Sequence, residues 1–220
     1  TEFDEIGDDP LAKLLPGKGY WIRTAKTPFN VTADTAILTP VHKCFEIELQ
    51  PGKWTVIANP YNFRISWQSI LDSTDNDTLI AGPFGYAEGS WIPPVSVRTL
   101  QPWAGYYVKN KGSEPLILKI PSIEYKGALT RQLVAAEQDS VNFMLEFEMN
   151  SSMGRNFKHY FGVQSGTTTK GFDNIYDAPA PPAAPDTKAS ISFIRYFDGT
   201  GNTKLMTDFS EMNNGGEVWK

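Results

Sequence analysis

Leu14-Leu15-Pro16-Gly17-Lys18-Gly19-Tyr20-Trp21-Ile22-Arg23 returns as Leu100-Gln101-Pro102-Trp103-Ala104-Gly105-Tyr106-Tyr107-Val108-Lys109, aligned without a gap and with the Leu, Pro, Gly and Tyr of the pattern identical. Each copy reads as a turn followed by a strand. Proline with its neighbour sets the turn, and the Gly-aromatic-aromatic-β-branched run suits a pleated, half-buried strand. A second apolar stretch follows each copy, Phe29-Asn30-Val31 and Leu116-Ile117-Leu118, so two hairpins are expected. Between the copies, Gln50-Pro51-Gly52 is another turn. Trp54, Val56 and Ala58 then alternate along a strand that ends at the Asn59-Pro60 break.

Beyond Pro121 the pattern changes. Phe143-Met144-Leu145-Glu146-Phe147-Glu148-Met149 alternates strictly, which predicts Phe143, Leu145, Phe147 and Met149 on a buried face and Glu146 and Glu148 on a solvated one. Further strands are expected at Tyr160-Phe161-Gly162-Val163 and Ser190-Ile191-Ser192-Phe193-Ile194. The tract Ala178-Pro179-Ala180-Pro181-Pro182-Ala183-Ala184-Pro185 lacks backbone donors, cannot join a central strand, and should cross over as an extended segment. Asp198-Gly199 and Gly215-Gly216 read as turns, and Glu217-Val218-Trp219-Lys220 as a strand cut short, so the second domain is expected to be truncated at its C-terminus. The fold class predicted is all-β, with two consecutive antiparallel β-sandwich-like domains. A repeat-bearing domain would span residues 1–122 and a second sandwich 123–220, with the boundary falling between about residues 120 and 130.

Composition supports this and narrows the partners. Charged residues are only 20% of the chain and aromatics a high 13%, while 18 Gly and 16 Pro supply the punctuation that short strands need. The formal net charge of -5 leaves no positive field to gather phosphates, so nucleic acid is not an expected partner. No apolar run reaches the roughly 20 residues of a membrane-spanning helix. The single Cys44 excludes an internal disulfide and a multi-thiolate metal site, leaving packing to hold the fold.

These motifs resemble a recurrent module of secreted multidomain bacterial surface proteins. In that module a Gly-Trp-Asn-Leu-Ile-Gly-Asn-Pro-like strand and break accompanies a Leu-x-Pro-Gly-x-Gly-Tyr-Trp-Val-like hairpin. Trp54 to Pro60 carries the first element; Leu15 to Ile22 and Leu100 to Val108 carry the second, with Trp103-Ala104 departing from the usual Gly-x. The second half is similar to the β-sandwich that often follows, through Gly171-Phe172-Asp173-Asn174-Ile175-Tyr176-Asp177 ahead of the proline tract and Leu205-Met206-Thr207-Asp208-Phe209 after it. The resemblance implies export and display at the cell surface or outside the cell. It also implies a leading Trp strand upstream of the first hairpin.

Few residues point to chemistry. His42 and His159 lack the H-E-x-x-H spacing of a metal site, and no G-x-S-x-G elbow presents a serine. Glu46, Glu48, Glu146 and Glu148 read as solvated outer faces of strands. Asp72, Asp75 and Asp77 form one run of hard oxygen ligands, and Asp173 and Asp177 form part of another. Calcium is the one cofactor these clusters admit, against a reading in which Asx turns cap their own backbone. Trp91 and Trp103 lie in loop contexts within residues 82–105 and are the candidate ligand contacts, since a flat indole can stack on a sugar ring. The first functional expectation is a non-catalytic extracellular adhesion or scaffold module whose partners are other domains or chains of a surface assembly. The second is a carbohydrate-binding accessory module of a polysaccharide-degrading enzyme. A hydrolase with dispersed carboxylates comes third.

Overall fold

A computed structural model describes residues 14–21, 38–87, 90–92, 94, 97–127, 141–151, 154–164, 177–185, 192–197 and 201–210. The expected strands at residues 29–31 and 217–220, the turns at 198–199 and 215–216, and Asp173 lie outside the described residues. The chain is all-β apart from one seven-residue helix and a short 3-10 turn among the described residues. None of its described helices is long and apolar enough to cross a membrane. Two compact units divide it: Thr1–Tyr86 with Ile92–Leu129, and Ala87–Trp91 with Thr130–Lys220.

In the first unit, β1 (Phe45–Leu49) and β8 (Leu116–Ile120) pair antiparallel, from Phe45 opposite Ile120 to Leu49 opposite Leu116. A second layer sets β2 (Trp54–Ala58), β7 (Gly105–Asn110) and β4 (Ile80–Ala87) side by side in that order. The short strands β3 (Ile65–Ser66) and β6 (Thr99–Leu100) pair across the end, and α1 (Trp67–Ser73) follows β3 directly. Alternation decides what each strand buries. Leu49, Leu118 and Ile120 face Ile57 and Val108 from the other layer, joined by Ile65, Ile70 and Leu100, all fully buried in one cluster. Withdrawing each such side chain from water contributes about 1.5–3 kcal/mol.

Two buried asparagines fasten the ends of this core. Asn59 donates from Nδ2 to the carbonyls of Phe63 and Leu100, and its Oδ1 accepts from the Tyr61 amide, so the Asn-Pro break is a stapled corner. Asn110 does the same at the far end of β7, donating to Leu49 and Glu114 carbonyls and accepting from the Gly112 amide.

The second unit is built on β9 (Val141–Ser151), β10 (Gly154–Gln164) and β13 (Gly201–Ser210), with β11 (Ala178–Pro179) and β12 (Phe193–Phe197) both on β13. β9 and β10 are antiparallel; β10 and β13 run parallel, with Tyr160 opposite Thr207, the one parallel pairing among the named strands. The start of the proline tract pairs with β13 as a two-residue edge strand before running on irregularly to Pro185. An edge is where a strand tolerates proline. The expected buried face of β9 is corrected by the structure: Phe143, Leu145 and Phe147 are 47, 40 and 40% exposed, so that face is partly open to solvent rather than packed into a core. Among the described residues β9 is also the end strand of its sheet. Inside the unit, the Arg195 guanidinium pairs with Asp208 and stands 4.0 Å from Asp177, an ion cluster with both carboxylates buried.

Candidate contact site

The two repeat copies lie on opposite edges of one strand. On one side β2 pairs with β7, Ile57 opposite Tyr106 and Ala58 opposite Gly105. On the other, the Ala58 amide donates to the Gly17 carbonyl at 2.9 Å and the Gly19 amide donates to the Val56 carbonyl at 3.1 Å. Both turns therefore emerge at the Ala58 end of β2, two strand spacings or about 10 Å apart.

Each turn is locked by its tyrosine. The Leu15 amide donates to the Tyr20 hydroxyl at 2.9 Å, and the Gln101 amide donates to the Tyr106 hydroxyl at 2.8 Å, a five-residue loop closed in the same way twice. Burial pushes the Tyr106 hydroxyl above the usual tyrosine range, and the amide from Gln101 offsets part of that. Tyr107 is raised likewise by burial, and the Trp21 indole, at the equivalent position of the other copy, donates to its hydroxyl at 3.0 Å. Trp21 also meets Tyr86 edge-on at 4.9 Å, and Trp54 meets Phe84 at 5.4 Å, so an aromatic layer lines this face of the sheet.

The residue after proline is where the copies part. Gly17 has φ of 74° and Trp103 has φ of 62°, the same left-handed turn. Glycine adopts it freely, whereas a bulky side chain pays a steric cost of about 1 kcal/mol. The Trp103 indole is 97% exposed, and Leu14 and Leu15 beside the other turn are 60 and 55% exposed. The candidate contact at Trp103 is thus on the surface, in a turn closed by the Tyr106 hydroxyl. Trp91, the other candidate, belongs to β5 (Ser90–Ile92) and is only 4% exposed, so it is not displayed as Trp103 is.

Sequence reasoning set aside Glu46 and Glu48 as solvated strand faces, and exposed they are. Yet both line an open groove of about 540 Å3, bounded by Leu15–Gly19 of the first turn, by Phe45 and Ile47, and by Trp54–Val56. The Gln50 side-chain amide donates to Glu48 at 2.5 Å and orients it. Residues about thirty positions apart form the groove, so no local pattern announces it.

The acidic run of the first unit is dispersed among separate partners. Gln68 donates to Asp72 at 2.8 Å; Lys119 pairs with Asp75 at 2.7 Å and holds its carboxyl below the usual range, first by hydrogen bond and then by charge. Asp77 opens the 3-10 turn Asp77–Leu79. Asp177 faces Arg195, a cation supplied by the chain itself. Among the described residues no three or more His, Cys, Asp or Glu side chains gather as a metal site would require. Comparison with protein-family models, with curated proteins and with solved structures finds no match to this chain.

Proposed function

We propose that this chain is a non-catalytic contact module of a secreted, multidomain bacterial surface protein, acting in adhesion or as a scaffold. The setting rests on the sequence resemblance. The observation that carries the binding role is Trp103, a fully exposed indole held in a left-handed turn whose backbone is closed by Tyr106. A rigid aromatic platform loses little conformational entropy when it engages a partner. Backbone strain at an exposed side chain is a reason to look for function there.

The same residue favours the second reading, a carbohydrate-binding accessory module. A single displayed indole plane matches a sugar ring better than it matches a protein, since a standard protein interface needs about 800 Å2 per partner. The carboxylates of Glu46 and Glu48, in the groove beside the first turn, offer acceptors to sugar hydroxyls. Affinity electrophoresis through a panel of neutral polysaccharides tests both. Retention that is lost in Trp103→Ala at an unchanged melting temperature supports the carbohydrate reading. Retention by intact bacterial envelopes alone, lost in the same variant, supports adhesion to protein. Undiminished binding of Trp103→Ala in both assays refutes the role given to the indole, and turnover of any polysaccharide refutes the non-catalytic assignment.

A further inference from the structure

β9 ends its sheet in an unusual way. Among the described residues it has a strand on one side only, and its eleven residues present roughly 35 Å of backbone on the other. Sheet edges are normally blunted with lysine, proline or bulges, because unpaired amides and carbonyls invite another strand. The opposite side of this sheet follows that rule, with Pro179 in the edge strand β11. β9, Val-Asn-Phe-Met-Leu-Glu-Phe-Glu-Met-Asn-Ser, contains no Lys, Arg or Pro. Its pairing with β10 is regular from Phe143 opposite Val163 to Phe147 opposite His159, and the register shifts lie outside that stretch.

Apolar side chains are exposed on both faces of this edge. Phe143, Leu145 and Phe147 are 47, 40 and 40% exposed on one face, and Met144 is 51% exposed on the other. Phe147 stacks on Phe161 with ring centroids 5.2 Å apart, and Phe161 meets Phe193 edge-on at 5.4 Å. An aromatic row thus runs toward β9 and ends, still half open, at the edge that has no partner strand among the described residues.

The sequence of the edge suits a second copy of itself. Read outward from Leu145, positions 143 and 147 are both Phe, positions 141 and 149 are Val and Met, positions 144 and 146 are Met and Glu, and positions 142 and 148 are Asn and Glu. About Leu145 the strand is symmetric at Phe143 and Phe147 and apolar on both sides at 141 and 149, while the pairs 144/146 and 142/148 each set one glutamate against an uncharged residue. Antiparallel pairing with an identical strand about a two-fold axis at Leu145 puts Phe143 opposite Phe147 twice and Leu145 opposite itself. No glutamate then faces a glutamate. Isologous contact of this kind is the commonest way for a chain to dimerise, and addition of a strand supplies main-chain hydrogen bonds along its length.

We infer that β9 is a strand-addition edge for a second copy of this chain, joining the second units of two molecules into one continuous sheet through a two-fold axis at Leu145. This deepens the proposed scaffold role and rests on it only for its biological setting. The contact is narrow, so the dimer is concentration-dependent rather than obligate.

Position 144 tests the register by sign. M144E sets a carboxylate opposite Glu146 of the second copy, whereas M144K sets an ammonium there; both remove the same methionine from a half-exposed site. Sedimentation velocity over a concentration series, with melting temperatures to certify folding, should give a monomer–dimer equilibrium for the unaltered chain. M144E should weaken it at least tenfold, and M144K should leave it equal or tighter. A chain that stays monomeric at every concentration overturns the inference, as does an equal response to both substitutions. Should either variant fail to fold, Leu145→Cys in a Cys44→Ser background replaces it: an interchain disulfide under mild oxidation supports the axis, and its absence overturns it. Loss of the dimer with polysaccharide or envelope binding intact would remove this inference and leave the contact-module reading standing. A dimer without such binding would do the reverse.

Discussion

The two repeat turns share their backbone course and differ in what stands after the proline and in how tightly each is packed. Both close on a tyrosine five residues along, both leave the same end of β2, and both hold a left-handed residue after proline. The first copy puts glycine there and fits it against neighbours: a Cβ on Gly17 would lie 2.2 Å from Phe45. The second copy puts tryptophan there and points it at solvent. One turn is therefore a packing device and the other a display device, on the same scaffold.

The comparison breaks most visibly at the glycine before each tyrosine. A Cβ at Gly19 would sit 2.4 Å from Val56 Cγ1 and 2.8 Å from the Ile57 carbonyl, whereas one at Gly105 meets the same residues at 3.9 and 4.0 Å. Gly19→Ala should cost about 2–3 kcal/mol by forcing backbone apart, within the range of overpacked cores. Gly105→Ala should cost under about 0.5 kcal/mol. Urea denaturation of the two variants measures the difference, and equal costs would mean the first turn is not seated against β2.

A smaller contrast is expected at the locks. Tyr106→Phe leaves the Gln101 amide without its acceptor in a buried setting and should lose about 1–2 kcal/mol. Tyr20→Phe removes the equivalent bond where water can replace it and should lose about 0.5 kcal/mol or less. Alkali sharpens the same point. The folded-state values of Tyr106 and Tyr107 are raised by burial, so their contribution to stability is complete below the ordinary tyrosine value near 10 and is lost as pH rises through the folded values. Melting temperature should fall above about pH 10, and less steeply in Tyr106→Phe. A profile indifferent to that substitution would contradict the burial of the hydroxyl.

Particular residues mark how far the sequence could be read. The turns at Pro16-Gly17 and Pro102-Trp103 and the strand Trp54–Ala58 were legible because Pro, Gly and alternating apolar residues act locally. The hairpin expected of Gly105–Asn110 with Leu116–Ile120 did not form: β7 pairs with β2 and β4, and β8 with β1, a choice made by partners distant in sequence. The exposed place of Trp103 followed from its turn context. The strand that carries Trp91 was not legible, because a Pro-rich neighbourhood conceals it. Alternation in β9 correctly identified a strand, yet alternation does not report whether another layer covers the face that carries Phe143, Leu145 and Phe147. The cluster of Arg195 with the buried Asp177 and Asp208 joins three segments, and only the fold brings them together.

The smallest expected effect on stability is also the most informative about function. Trp103→Gly makes the second turn chemically like the first and relieves a left-handed tryptophan, so stability should hold or rise by up to about 1 kcal/mol. Measured side by side with the unaltered chain in affinity electrophoresis through neutral polysaccharides and in binding to bacterial envelopes, this variant should keep its melting temperature and lose retention. Retention undiminished at an unchanged melting temperature, or retention lost only together with several kcal/mol of stability, would contradict the assignment of Trp103 as the displayed contact.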